Sequence, residues 1–415
     1  MEIHPANRID RLPPYVLGRL KQLIYERRKA GADVIDMNMG NPMDAPPDVV
    51  VDKLREAVTD PRNSRYSISA GLYNLRRDMA RKYEKKWGVA LDPDTEAIAC
   101  IGSKEGFSHM CLAMMGPGDV AVVTDPAFQI HTYAVILAGA SVIQVVLGND
   151  DAFLARIENV LDHLQPKPKV VVLNFPHNPT GMTVEPAFFD HVVKLAERHE
   201  VMVMHDFAYG ETCFDGYRAP SFLGADGAKS FGVEFTTCSK PYNMAGWRIG
   251  FCCGNDQMIK ALATIKGYYD YGIFQAVQIA AIIAMREADS HIDEQARKYQ
   301  HRRDVLVRGV RRLGWQAESP KASMFVWARV NPDHLARYHG GTTEFCMAMV
   351  DQAEVAITPG AAFGERGEGY VRLALVENEQ RIRQALRQLG RILAPSPSVS
   401  AGSAKSEAEQ LDERR

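Results

Sequence analysis

From about position 97 the chain alternates short apolar runs with longer mixed stretches. The runs lie at 97–102, 120–124, 142–147, Val170–Asn174, 201–205, 231–237 and 249–253. Several are rich in β-branched residues and lack polar alternation, the pattern of strands covered on both faces. Helical periodicity separates most of them, at 105–115, 129–138 and 186–198. This βαβ order predicts an α/β fold: a mostly parallel, seven-stranded sheet with helices on both sides. The last two runs are joined only by the loop around Lys240, which leaves room for one antiparallel strand there.

Outside that block the pattern changes. Near the start, LKQLIYERRKAG reads as a helix closed by Gly31; Pro42, Pro46 and Pro47 mark a loop, and 48–58 reads as a further helix. Positions 275–312 form a long helical stretch interrupted near Ser290. Short strands and helices follow at 323–330, 343–352 and Tyr370–Ala374, the signature of a smaller α+β unit. The expected organisation is an N-terminal arm with part of the small domain (1–45), a large domain (46–285), a small C-terminal domain (286–394) and a tail (395–415). The tail, PSPSVSAGSAKSEAEQLDERR, has no aromatic residue and too little apolar surface to order itself, so it is expected to be disordered.

Charge narrows the function classes. Forty-nine basic residues against 51 acidic ones give a net charge of −2, so no bulk electrostatic attraction to nucleic acid or an anionic membrane is expected. The seven cysteines include no C-x-x-C. That removes the zinc-ribbon and thioredoxin motifs and suits reduced thiols in the cytoplasm; no metal is expected. The first residues lack the apolar core of a signal peptide, and the run 279–285 is too short to span a bilayer.

Ligands of open α/β sheets bind where the strands end. The polar and aromatic residues falling there are Ser103, Phe128, Asn178, Asp206, Tyr209, Thr237, Ser239, Lys240 and Arg248. In Gly102-Ser103-Lys104-Glu105-Gly106 a strand gives way to a helix, which makes either an ordinary cap or an anion site. Asn178-Pro179-Thr180-Gly181 taken alone is a turn, and Asp206 taken alone is a helix cap. Thr237-Cys238-Ser239-Lys240 followed eight residues on by Arg248 is the strongest local signal. Two hydroxyls and a guanidinium suit a phosphate, and a lysine among them suits condensation with an aldehyde. Arg372 stands in a strand-like pattern between apolar residues, where it is either a sheet-face charge or a fork for a carboxylate.

Taken together and in order, S-K-x-x-x-x-G-W-R-I-G, N-P-T-G, D-F-A-Y-G and R-L-A-L-V-E-N resemble the pyridoxal-phosphate aminotransferases of fold type I, class I/II, over about residues 5–394. RIDRLPPY, MGNP, GSKEG, DYG and RLALVENEQRIRQA are most similar to the bacterial alanine (glutamate–pyruvate) transaminase group. Methionine, aspartate, aromatic and LL-diaminopimelate aminotransferases are related alternatives for the donor, and a decarboxylase or lyase on the same fold is the alternative for the reaction.

The resemblance implies roles. Lys240 would condense with the cofactor aldehyde and then carry the proton. Asp206 would pair with the ring nitrogen, Tyr209 and Asn178 with the ring oxygen, and Phe128 would stack on the ring. Ser103, Lys104, Thr237, Ser239 and Arg248 would hold the phosphate, with Tyr66 reaching the phosphate of a neighbouring subunit in a homodimer. Arg372 would clamp the substrate carboxylate, with Gly40 and Asn178 beside it. The implied partners are an L-amino acid, alanine favoured, and a 2-oxo acid such as 2-oxoglutarate or pyruvate. Two departures bear on the substrate: Phe128 stands where the group has Tyr, and Ile273 where a small polar residue is usual. Lys266 lies near where some relatives place an Arg for a distal carboxylate, but as a lone lysine it reads as a surface residue. A transcriptional regulator on this fold is disfavoured, because about 40 residues before Gly40 are too few for a winged-helix domain.

Overall fold

The computed structural model describes residues 3–394, so the reading of 395–415 lies outside the described residues. The seven apolar runs form one seven-stranded sheet. In spatial order its strands are Ala97–Cys100, Gly250–Gly254, Gly232–Thr237, Met202–Asp206, Val170–Asn174, Val120–Asp125 and Ser141–Val146. Gly250–Gly254 runs antiparallel to both neighbours, and the other pairings are parallel. The antiparallel strand is the one entered from the loop around Lys240.

Alternation explains why these strands read as continuous apolar runs. Val171 and Leu173 point into one core and Val170 and Val172 into another, on opposite faces of the sheet. With a side-chain period of two and helices on both faces, every position must be apolar. The edge strand Ser141–Val146 has one neighbour and is largely solvent-facing, unlike the rest. The helices Ser103–Met114, Gln129–Leu137 and Pro186–His199 stand where periodicity places them. Tyr73–Trp87, Asp151–His163 and Asp256–Tyr269 are helices that it did not single out. The first is so dense in charge that its buried stripe, including Leu75, Met79 and Tyr83, is hard to see. The long stretch 275–312 divides at Ala288 into Gln275–Glu287 and Asp289–Arg312.

A second sheet is antiparallel, in the order Thr358–Pro359, Tyr370–Ala374, Phe325–Arg329, Gln316–Ala317. Ile35–Asp36 pairs in parallel with Val355–Ala356, and Ile35 and Met37 share a core with Phe325, Val355 and Leu389. The N-terminal segment therefore packs with the C-terminal one. Helix Glu379–Leu393 buries Ile382, Ala385, Leu389 and Leu393, a stripe at helical spacing. Among the described residues no helix is long and apolar enough to cross a membrane.

Topology positions the site. Three adjacent parallel strands end at Asn174, Asp206 and Thr237, so the loops that follow them emerge side by side. The antiparallel strand begins at that same edge, with Gly250 paired to both Cys100 and Thr237. That register brings the Arg248 guanidinium against Gly102 and Ile101, at the start of the helix that Ser103 opens.

Candidate active site

The anion-binding corner is built from backbone and hydroxyls. Ser103 opens the helix Ser103–Met114, whose first N–H groups and dipole favour an anion. Gly102 precedes it at φ +82°, and a Cβ there would fall 2.2 Å from the Arg248 guanidinium. A Cβ on Gly250 would fall 2.4 Å from the Ser103 nitrogen. Both glycines keep this corner open. Thr237 Oγ1 and Ser239 Oγ are 2.9 Å apart, and the Ser239 N–H donates to Thr237 Oγ1 at 3.0 Å. Arg248 donates to the carbonyls of Ala245 and Ile101, at 2.9 and 3.4 Å. Among the described residues it forms no ion pair with a carboxylate.

Lys240 follows directly. Its amine is part-buried and donates to the Gly40 carbonyl at 2.6 Å, and it stands 6.0 Å from the centre of the Tyr209 ring. Burial, with Arg372 and Arg248 adding repulsion, lowers its pKa to about 8. Burial raises the Tyr209 hydroxyl above its ordinary value. Asp206 is buried at the end of its strand; its Oδ2 lies 2.9 Å from His131 Nε2, and its Oδ1 accepts the Ala208 N–H at 3.2 Å. The Phe128 ring meets His131 edge-on at 5.7 Å, with the Lys104 ammonium 6.0 Å from its centre.

Arg372 is the buried cation of the second sheet. Nη1 donates to Asn178 Oδ1 at 2.7 Å and Nη2 to the Asn38 carbonyl at 2.8 Å. The guanidinium lies between the rings of Phe325 and Phe363, at 4.0 and 4.6 Å. Its Nε is buried without a hydrogen-bond partner. Burial lowers its pKa to about 10, so it stays charged at neutral pH. Among the described residues no carboxylate neutralises it. A buried, unpaired cation costs several kcal/mol, and the aromatic sandwich and the free Nε leave it open to an incoming anion.

Asn178 sits in a turn fixed from both sides: its N–H donates to Asn174 Oδ1 at 2.8 Å, and the Gly181 N–H donates to the His177 carbonyl at 2.8 Å. His177 Nδ1 lies 2.9 Å from Thr180 Oγ1, and burial holds this histidine neutral, with its pKa lowered to about 3.

Contacts join the predicted residues in groups: Lys240 meets Gly40 and Tyr209, Arg372 meets Asn178, Thr237 meets Ser239, Arg248 lies against Gly102 before Ser103, Lys104 lies over Phe128, and His131 links Phe128 to Asp206. Tyr66 is not joined to them within the chain. It is 85% exposed and packs against Tyr271 with ring centres 4.6 Å apart. The reading of Lys266 as a surface residue is corrected. Its ammonium is fully buried, 2.9 Å from Asp270 Oδ2 and 3.3 Å from Glu105 Oε1, because the two carboxylates offset its desolvation. His131, Asn38, Phe325 and Phe363 are site residues that the sequence reading missed. His131 lies three residues past Phe128, but nothing in the chain announces its partner 75 positions on.

This donor set fits a phosphorylated pyridine aldehyde. An open corner of N–H, hydroxyl and guanidinium groups suits the phosphate, a buried carboxylate suits a ring N–H⁺, and an amine of lowered pKa suits the aldehyde.

Comparison with known proteins agrees with that chemistry. Residues 32–389 match the family "Aminotransferase class I and II". The chain is 45% identical to glutamate–pyruvate aminotransferase AlaC of Escherichia coli, over 92% of each chain. It is 41% identical to an LL-diaminopimelate aminotransferase of Moorella thermoacetica, over 94% of this chain and 98% of that one. Among solved structures, substrate-bound BacF of Bacillus subtilis superposes with a TM-score of 0.86 at 29% identity, covering 96% of this chain and all of the other. A double mutant of Thermus thermophilus aspartate aminotransferase superposes with a TM-score of 0.85 at 25% identity, covering 94% and 100%.

Fold and sequence together place the chain among the enzymes that transfer amino groups with pyridoxal 5'-phosphate. It belongs to the class I and II aminotransferases of fold type I. Its reaction moves an amino group between an amino acid and a 2-oxo acid.

Proposed function

We propose that this aminotransferase takes L-alanine as its favoured donor and 2-oxoglutarate or pyruvate as acceptor. The observation that carries this reading is the 45% identity to a glutamate–pyruvate aminotransferase along nearly the whole chain. A second reading, LL-diaminopimelate as donor, is supported by the 41% identity to the Moorella enzyme. Single-turnover spectra with a panel of donors separate the two. We expect L-alanine to react fastest, with 2-oxoglutarate restoring the starting spectrum; a fast reaction confined to LL-diaminopimelate selects the second reading, and release of CO₂ or ammonia with no acceptor present points to a decarboxylase or lyase.

The residue roles belong to the same proposal. Bound pyridoxal phosphate supplies an aldehyde and an electron-withdrawing ring. Ser103, the Lys104 N–H, Thr237, Ser239 and Arg248 hold the phosphate. Asp206, oriented by His131, would pair with the ring nitrogen, Phe128 would stack on the ring, and Tyr209 and Asn178 would hydrogen-bond its oxygen. Lys240 would take the proton from the substrate α-carbon and hold it at Nζ. Arg372 receives the α-carboxylate through Nε and one Nη, with Asn178 and Asn38 fixing its plane and Gly40 leaving the approach open.

The division into 1–45, 46–285 and 286–394 is likewise proposed, supported by the shared core of Ile35 and Met37 with the C-terminal segment. Cytoplasmic residence is supported by seven cysteines that all stand as free thiols. A homodimer with shared sites is supported by a cluster of exposed aromatic and apolar side chains: Tyr66, Ile68, Tyr268, Tyr269, Tyr271 and Phe274. Sedimentation of the active holoenzyme is expected to read a dimer, and a fully active monomer overturns this assignment.

A further inference from the structure

A second buried charge cluster adjoins the loop that carries Lys240. Lys82, on the helix Tyr73–Trp87, is 7% exposed. Its ammonium lies 2.5 Å from Glu211 Oε2 and donates to the Tyr242 hydroxyl at 2.9 Å. Lys86, one turn further along, pairs with Glu211 Oε1. Tyr242 is fully buried and Glu211 nearly so. Lysine is among the residues least often buried, and removing its charge from water costs several kcal/mol before any pairing. Such a placement needs a reason, and the partners supply one.

Glu211 stands two residues past Tyr209 and five past Asp206; Tyr242 stands two past Lys240. The strands leading into these segments pair directly, with Asp206 opposite Phe235 and the Phe207 N–H donating to the Phe235 carbonyl at 2.8 Å, and the Lys240 ammonium lies 6.0 Å from the centre of the Tyr209 ring. Beyond the strand ends, among the described residues, no hydrogen bond runs directly between 208–212 and 238–243, and Lys82 bridges them through Glu211 and Tyr242. The Lys240 loop is held elsewhere by Asn243, whose Nδ2 donates to the Ala45 carbonyl and to Gln295 Oε1 at 3.2 and 3.1 Å. Those bonds fix the loop against the long helix and the N-terminal segment, not against Tyr209. Burial would raise the Glu211 carboxyl, but Lys82 and Lys86 more than offset it and hold it below the ordinary range. Glu211 therefore stays ionised across neutral pH.

We propose that Lys82 is a positioning residue for the amino-transfer reaction: by bridging Glu211 and Tyr242 beyond the strand ends it fixes the loop carrying Lys240 against the segment carrying Tyr209. The proposal rests on the roles given to Lys240 and Tyr209 above. Misplacing a proton-transfer group by a fraction of an ångström lowers the rate more than binding, so the effect belongs in kcat.

The test is Lys82→Met in the holoenzyme. Glu211 keeps Lys86 as a partner, so its carboxylate is not left unpaired and the variant is expected to fold. Two quantities are read: kcat and KM with the best donor, and the pH midpoint of the bound cofactor's visible absorbance without substrate. We expect kcat to fall about tenfold with KM within about twofold. Loss of an interior positive charge should also move the midpoint upward by roughly half a pH unit. Lys82→Arg is expected to recover most of kcat, and Tyr242→Phe to shift both readouts the same way by less. A variant with parental kcat and midpoint overturns the proposal, and so does one whose only change is a lower Tm. If Lys82→Met does not fold, Tyr242→Phe, which removes a single oxygen, decides the matter by the same readouts. Lys240→Ala serves as control: if it keeps the parental absorbance and turnover, the Lys240 role itself fails, an outcome distinct from failure of Lys82.

Discussion

Replacing Lys240 with alanine is expected to lower turnover by roughly 10⁴-fold or more, the upper end of what a positioned proton-transfer group contributes. The fold should survive, because the amine is held by one hydrogen bond, to the Gly40 carbonyl, and alanine leaves no charge unpaired. Circular dichroism and melting temperature should match the parent while the visible band of the loaded enzyme is lost. The low pKa of this amine adds a sign. Condensation needs the neutral amine, and burial together with Arg372 and Arg248 brings its pKa from 10.5 to about 8. The rate of loading the cofactor-free protein should therefore rise with pH and level off above about 8. A rise that continues toward 10.5 would show that the amine is not buried as described.

Arg372→Leu should follow with a loss of about 10²–10³-fold in kcat/KM, the range for removing one partner of a desolvated charge pair. The reasoning starts from the free protein. The guanidinium is buried between Phe325 and Phe363, held at two nitrogens by Asn178 and Asn38, and left without a partner at Nε. A carboxylate arriving there exchanges water for a fork of charged donors in an apolar slot. Leucine removes the fork and leaves the substrate charge desolvated. Arg372→Lys should recover little, since an ammonium presents no planar fork. Steady-state kinetics with the preferred donor checks this; an unchanged KM would move carboxylate recognition elsewhere in the cleft.

Much of the fold was legible because the sheet is covered on both faces. Strands such as Val170–Asn174 must then be apolar at every position, and short apolar runs separated by helical stretches admit few arrangements. The helix Tyr73–Trp87 was not legible, since its buried stripe lies among charges that pair only in three dimensions. Lys82 with Glu211 and Arg286 with Asp78 are examples. Lys266 misled for a related reason: Asp270 stands at i+4 in the sequence, but the second carboxylate, Glu105, comes from another helix, and burial of the ammonium is decided only by the packing.

The candidate site divides along the same line. The residue types at strand ends, and their order along the chain, were enough to point to a phosphate, an aldehyde and a carboxylate. They depend on local chemistry that each motif carries with it. Side chains that orient those groups were invisible, because their partners come from distant segments. His131 reaches Asp206, Asn38 reaches Arg372, and Lys82 joins two loops whose sequence positions say nothing of their spacing.

By itself the sequence determined the α/β architecture and the family and pointed to the residues of the candidate site, because periodicity and motif order can be read along the chain. Only the tertiary structure decided which charges are neutralised and which remain open. Lys266 is paired and Arg372 is not, and that depends on which groups the packed sheet and helices exclude from water together.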